Sequence, residues 1–400
     1  MEKQKKIPAL RFPDFEGEWE KKYLKDVISN KSIKYNPEKS NEALKCIELE
    51  HLATGTGQLL GYSDSSESES IKNRFTKGDV LFGKLRPYLR KYLLAPFDGV
   101  CSSEIWVING KTALNEYIYW LIQTEKFIGL ANQSSGSKMP RADWDVIASS
   151  LFRFPPLPEQ QKIASFFTAT DQKISQLKRK LTLLEQYKKG VMQKIFSQEI
   201  RFRDDNGQEF PKWEKKRLGD ISERMTTKNT ERNENVLTIS AQHGLVGQLD
   251  FFNKSVAATD LSGYYLLKKD DFAYNKSYSA GYPMGAIKRL KLYEKGVVST
   301  LYICFTFKTD VSLSYMEQYF ESGKHNRQIE KVAQEGARNH GLLNIGVGDF
   351  FNTEIFLPSI PEQTKIAKFL SAIDDKINNT QNQIDKAEVW KKGLMQQMFV

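Results

Sequence analysis

The stretch L-P-E-Q-Q-K-I-A-S-F-F-T-A-T-D-Q-K-I-S, starting at Leu157, returns as I-P-E-Q-T-K-I-A-K-F-L-S-A-I-D-D-K-I-N, starting at Ile360. The first copy runs on to K-K-G-V-M-Q-K-I-F-S, and the second to K-K-G-L-M-Q-Q-M-F-V. Gln160 and Gln363, Asp171 and Asp374, Gly190 and Gly393, Phe196 and Phe399 are each 203 residues apart, with no gap between the copies. A fixed period without insertions marks a duplicated structural unit. The rest of the chain is what precedes each copy.

Both copies read as helices. Prolines at 155, 156, 158, 358 and 361 stop a strand and prepare a helix start. Glu159 falls in the first turn, where a carboxylate suits the helix dipole. Ile174, Leu177, Leu181, Leu184, Val191 and Ile195 step by threes and fours, as in a coiled-coil seam, and Lys188 interrupts them. The second seam, Ile377, Thr380, Ile384, Ala387, Leu394 and Met398, is weaker and is interrupted at Lys391. At 1.5 Å per residue each helix makes a rod of roughly 55–60 Å. Neither seam is buried alone, so the simplest arrangement packs the helices on each other, antiparallel about a pseudo-two-fold axis.

Outward from the helices, the duplication continues. F-P-D-F-E-G-E-W-E-K-K-Y-L-K-D-V at 12–27 is echoed by F-P-K-W-E-K-K-R-L-G-D-I at 210–221, pairing Trp19 with Trp213 and Asp26 with Asp220. Residues up to about Arg11 read as a flexible arm. Strands are expected at 45–49, 77–82, 105–108 and 151–154, and at 236–240, 269–274, 301–307 and 353–357. Single helices are expected at 115–131 and 314–333. Each half is thus short strands with one or two helices, an α+β pattern. The boundaries follow: domains at 1–154 and 199–357, helices at 155–198 and 358–400.

Composition narrows the function. The 400 residues carry 59 Lys and Arg against 49 Asp and Glu, a net charge of +10, which suits a polyanion partner. No apolar run of about 18 residues is present, so no membrane span is expected. Basic residues near the N-terminus lack the apolar stretch of a signal peptide. Cys46, Cys101 and Cys304 fit a reducing cytosol and lack metal-ligand spacing, and the four histidines have no zinc pattern. Gly55, Gly57 and Gly61 are spaced one residue too wide for a dinucleotide fingerprint and read as a turn. Pro13-Asp14 with Glu20 and Lys22 sits too close in sequence to form a nuclease metal site, and its second copy lacks the acid. No methyltransferase motif or phosphate-binding loop is present.

These features resemble the specificity (S) subunit of type I restriction–modification enzymes, the HsdS family. The resemblance covers essentially the whole chain and rests on the twin P-E-Q-x-K-I-A-x-F segments, the twin K-K-G-x-M-Q endings and the F-P-x-W-E entrances. It implies two pseudo-symmetric target recognition domains separated by two long antiparallel coiled-coil helices. Each domain would read one half of a split double-stranded DNA sequence. The helices would act as spacer and docking surface for two modification (methyltransferase) subunits, joined by restriction (motor nuclease) subunits. Lys188, Lys189, Phe196, Lys391, Lys392 and Phe399 are the docking candidates. The chain itself would be non-catalytic and bind no cofactor or metal, with S-adenosylmethionine, ATP and Mg on its partners. Its setting would be a bacterial or archaeal cytoplasm. The competing classes are a coiled-coil adaptor that binds no DNA and a fused methyltransferase–nuclease.

The DNA-contact candidates lie where the halves differ. Lys84, Arg86, Arg90 and Lys91 fall within eight residues, interleaved with Tyr88. Such a set neutralises phosphates and offers arginine to guanine edges. Lys138 and Arg141 sit in the polar loop 134–142, and Arg338, Asn339 and His340 in its counterpart, 335–341. Lys276, Tyr278, Tyr282, Lys288 and Arg289 are the second half's version of the basic stretch.

Overall fold

Pro158 and Pro361 each stand at the second position of a long helix, Leu157–Phe196 (the central helix, 40 residues) and Ile360–Met398 (the C-terminal helix, 39 residues). Proline costs nothing there, because its missing N–H has no partner in the first turn. The computed structural model describes residues 7–40, 42–67, 69–133, 139–252, 257–308, 310–333 and 343–399. Two compact units emerge from the contacts: residues 1–179 with 381–400, and residues 180–380. Each long helix therefore starts in one unit and ends in the other.

Unit 1 is built on an antiparallel four-stranded sheet in the order Ile28–Ser29, Ile105–Gly110, Val80–Gly83, Tyr92–Leu94. The entrance forms strand Glu20–Tyr23, which pairs antiparallel with Leu151–Phe154. A second sheet of five short strands, from Lys34–Tyr35 to Ser63–Asp64, includes one parallel pair, Lys45–Ile47 with Gly99–Cys101. Unit 2 repeats the first sheet in the same order: Ser222–Met225, Ile303–Phe307, Phe272–Asn275, Ala286–Arg289. Its entrance strand Glu214–Arg217 pairs with Glu354–Leu357. The five-stranded sheet has no such twin; unit 2 has two separate strand pairs there, Leu237–Ser240 with Gly244–Gly247 and Tyr265–Lys268 with Lys295–Val298.

The two expected single helices are each broken. Residues 115–131 form Asn115–Leu121 and Glu125–Ala131, because Thr124 caps the second piece by accepting from the Phe127 amide. Residues 314–333 form Leu313–Glu321 and Asn326–Val332, separated by Gly323 at φ +70°.

The twin P-E-Q segments turn out to be clamps. Glu159, fully buried, accepts from Arg11 Nε and Nη2 at 2.7 Å each and from Trp19 Nε1 at 3.2 Å. In unit 2, Glu362 is equally buried and accepts from Arg201 Nε and Nη2 at 3.2 and 2.8 Å and from Trp213 Nε1 at 3.1 Å. Gln160 accepts from the Leu114 amide and donates to the Pro155 carbonyl; Gln363 does the same with Ser312 and Pro358. Each pair ties the helix start to the entrance and to the first helix after the sheet. Arg11 is thus fixed in the clamp rather than part of a flexible arm. Leu10 is fixed too, donating its amide to the Gln397 carbonyl at 3.1 Å.

The lysines that interrupt the seams also have a structural reason. In unit 1, Lys391 pairs with Asp171 at 2.5 Å and Lys178 with Glu388 at 2.7 Å, so the two helix segments run antiparallel. In unit 2, Lys188 pairs with Asp374 at 2.6 Å. These are the same duplicated positions. A half-buried ion pair replaces one apolar layer at each, and it fixes helix register.

The helix ends fill the cores. Met398 is 3 % exposed and packs in unit 1 with Trp19, Tyr117, Trp120 and Phe167. Met192, Ile195 and Phe196 pack in unit 2 with Tyr315, Tyr319 and Leu370. Beside them His325 is 2 % exposed and ringed by Phe320, Phe350 and Tyr319. Burial pushes its imidazole down to about 4 from the ordinary 6.5. Unfolded, it protonates below 6.5; folded, it resists down to about 4, so the unfolded chain binds the extra proton between those values. Unit 2 is therefore expected to hold this contribution above pH 6.5 and lose about 3 kcal/mol of it as pH falls to 4. His325→Gln is expected to flatten that part of the pH–stability curve from urea unfolding; equal slopes in both proteins would refute it.

Candidate nucleic-acid interface

A strand that ends in glycine and prolines cannot continue straight, and the chain after Val80–Gly83 turns sharply. Arg86 and Arg90 both adopt left-handed backbone, φ +52° and +50°, on either side of the short turn Pro87–Leu89. Such conformations are uncommon outside glycine and persist where the surroundings hold them. Here the holder is the end of the second candidate loop. The Arg86 amide donates to the Pro140 carbonyl and the Ala142 amide to the Lys84 carbonyl, both at 2.8 Å, with Leu85 bridged to Arg141. Two basic segments far apart in sequence thus meet. Unit 2 makes the same junction: the Leu343 amide donates to the Lys276 carbonyl at 3.0 Å.

The side chains sort into two groups. In unit 1, Arg86 and Tyr88 are exposed, and Arg86 has no side-chain partner among the described residues. Lys84 is half-buried, while Arg141 is exposed and held by Glu104 at 3.0 Å. In unit 2, Tyr278 is 67 % exposed and Lys276 half-buried. These residues form a rim of cations and aromatic rings, the combination that meets phosphates and bases.

The other candidates have partners within the chain. Lys288 is 8 % exposed and bonds Glu321 and the Tyr282 hydroxyl, which itself donates to Glu321 at 2.6 Å. It is too buried to reach a phosphate. Burial, with Glu321 beside it, also raises the Tyr282 hydroxyl above its usual range. Arg289 grips Asp270 Oδ1 through Nη2 at 2.6 Å and Nε at 2.9 Å. Lys91 caps the Leu49 carbonyl at 2.5 Å. Arg90 pairs with Glu125 at 2.6 Å and lines a cleft of about 1010 Å³ with Asp171 and Lys392. Lys138, Arg338, Asn339 and His340 lie outside the described residues.

The docking candidates divide likewise. Lys189 and Lys392 are exposed. Lys188 and Lys391 point inward to their aspartates, Phe196 is 3 % exposed in the unit 2 core, and Phe399 stacks on Tyr117 at 5.5 Å. What held these residues at duplicated positions is internal packing.

Other chemistry is sparse. Among the described residues no group of three or more His, Cys, Asp or Glu could hold a metal ion, and no helix is long and apolar enough to cross a membrane. Burial pushes the Cys46 thiol up to about 11 and the Cys304 thiol to about 12, which leaves neither as a thiolate at neutral pH. Gly57 sits at φ +66°, and a Cβ there would lie 2.0 Å from the Tyr119 hydroxyl. The glycines at 55 and 57 therefore serve a tight turn against a core tyrosine.

The clamp was missed at the sequence level, although a signal existed. Leu10-Arg11-Phe12 and Ile200-Arg201-Phe202 repeat the same triplet ahead of each entrance. Phe12 and Phe202 even make the same edge contact, 5.6 Å to Phe166 and Phe369.

Residues 16–186 and 211–389 both match the sequence model of the type I restriction modification DNA specificity domain. The specificity subunit of the type I restriction enzyme MjaVIII from Methanocaldococcus jannaschii is 24 % identical over 319 residues, 74 % of this chain and 72 % of that one. The EcoDI specificity subunit of Escherichia coli is 28 % identical over 156 residues; the match spans 38 % of this chain and 35 % of that protein's length. Among solved structures, the type I S subunit from M. genitalium superposes with a TM-score of 0.58 at 13 % identity, covering 98 % of this chain and 99 % of its own. The HsdS subunit from Thermoanaerobacter tengcongensis gives 0.52 at 18 % identity, with 94 % of each chain covered. These likenesses show the same fold.

Proposed function

The chain belongs to the type I restriction–modification DNA specificity family, and on that footing we propose that it is the subunit that chooses the DNA sequence on which such a complex acts. Each unit reads one half of a bipartite, asymmetric double-stranded target. The long helices dock two modification (methyltransferase) subunits, and restriction (motor nuclease) subunits join that core. The chain catalyses nothing itself; S-adenosylmethionine, ATP and Mg belong to the partners, in a bacterial or archaeal cytoplasm.

One observation carries the reading. Clamp, sheet order, loop junction and interhelical ion pair are repeated in the two units, while the exposed rim residues are not. Lys84, Arg86, Tyr88 and Arg141 in unit 1 face no matching set in unit 2, where Lys276 and Tyr278 stand. Two different rims on one repeated frame suit two different half-sites.

The test is a methylation map of the source genome. A split, asymmetric motif whose methylation disappears when this chain is removed is expected; methylation independent of the chain would overturn the proposal. Arg86→Ala in the complex with its modification subunits is expected to weaken cognate DNA binding about 10–100-fold and relax one base of one half-site. An unchanged methylation pattern with unchanged, salt-dependent affinity would remove Arg86 from the interface.

A further inference from the structure

Glycine inside a helix is less stable than alanine, so it needs a reason. Gly190 lies within the central helix and Gly393 within the C-terminal helix, at duplicated positions. A Cβ on either would meet nothing within 4 Å. The fold supplies no reason for either glycine.

Their neighbours suggest one. Three residues earlier, on the same helix face, stand Tyr187 and Trp390. They are exposed to 53 % and 52 %, far from the usual fate of large aromatic side chains. Leu183, 54 % exposed, extends the face one turn back from Tyr187, and Val389, 73 % exposed, adjoins Trp390. Exposed lysines border both faces, Lys189 and Lys194 in unit 2, Lys386 and Lys392 in unit 1. The face is distinct from the seam, whose lysines Lys188 and Lys391 turn to Asp374 and Asp171. An aromatic ridge beside a bare stretch of backbone is the surface that another helix packs against closely.

We infer that each aromatic–glycine step, Tyr187 with Gly190 and Trp390 with Gly393, is a docking notch for one helix of the modification subunit. The inference rests on the function proposed above and specifies where its partner sits. Two notches at duplicated positions require the same partner twice. The glycine admits close approach of the partner's backbone, the aromatic ring anchors it, and the flanking lysines select a helix carrying carboxylates.

Native mass spectrometry of the full chain co-expressed with its modification subunit tests this. The unaltered chain is expected to carry two modification subunits, Gly190→Leu or Gly393→Leu one, and the double substitution none. Gly190→Ala and Gly393→Ala guard against misfolding: together they are expected to raise Tm by a few degrees through helix propensity, yet speed partner dissociation at least tenfold. A double leucine variant that keeps both subunits, while the unaltered chain also binds two, sinks the notch and leaves the proposed function standing. An unaltered chain that binds none overturns the function and the notch with it. Loss of self-association alone in the leucine variants would assign the face to a second copy of this chain and overturn the inference too.

Discussion

Arg11→Ala is expected to cost unit 1 about 3–5 kcal/mol, although Arg11 lies close to the start of the chain and touches none of the sheet strands. The reason is Glu159. Its carboxylate is fully buried, and two of its three donors come from that one guanidinium, at 2.7 Å each. Without Arg11 a buried charge keeps only the Trp19 N–H at 3.2 Å. Such an orphaned charge costs far more than the pair is worth when intact. Arg201→Ala is expected to do the same to unit 2 through Glu362. Urea unfolding of single and paired variants separates the contributions. Arg11→Met with Glu159→Leu, which removes the charge along with its partner, is expected to recover most of the loss. A loss below about 1 kcal/mol in the single variant would show that the clamp is ornamental.

Phe196→Ala is the second large effect, expected to cost unit 2 about 3–5 kcal/mol. Phe196 is 3 % exposed, with rings of Tyr319, Tyr315 and Trp213 at 5.6, 5.8 and 6.5 Å. Truncation leaves a cavity in a close-packed aromatic cluster, where neighbours relax only in part. The observable is a shifted urea midpoint for the chain. A normal midpoint with a weakened partner complex would return Phe196 to the docking surface.

These two residues show what the sequence conveys and what it withholds. The duplication is written in plain letters, so the helices, the entrances and the α+β halves are legible. The partner of Glu159 is not: the acid and Arg11 are 148 residues apart, and the arginine repeats at a different offset from the helix. A first-turn glutamate reads as a dipole cap because the local rule is visible and the distant arginine is not. Lys188 reads as a break in a seam for the same reason, with Asp374 186 residues away. Lys288 and Arg289 read as a basic patch because a strand's two faces look alike before the sheet is placed. Glu321 and Asp270 then claim them. The rim around Arg86 was legible as chemistry. That its two basic segments are bound by a backbone ladder was not, since 84–86 and 140–142 meet only in the folded chain.

The division of each long helix between two units also sets the order in which the chain completes its folding. Unit 2 is one continuous segment, 180–380. It can close its core as soon as that segment has left the ribosome. Unit 1 cannot, although synthesis begins with it. Met398, at 3 % exposure, and its neighbours Leu394, Met395 and Phe399 pack against Trp19, Tyr117 and Phe167. Until they arrive, the surface they cover stays open to water and to chaperones, as in other incompletely assembled domains. The domain started first is thus finished last, and a chain interrupted after residue 380 carries its defect in the domain it had made at the beginning.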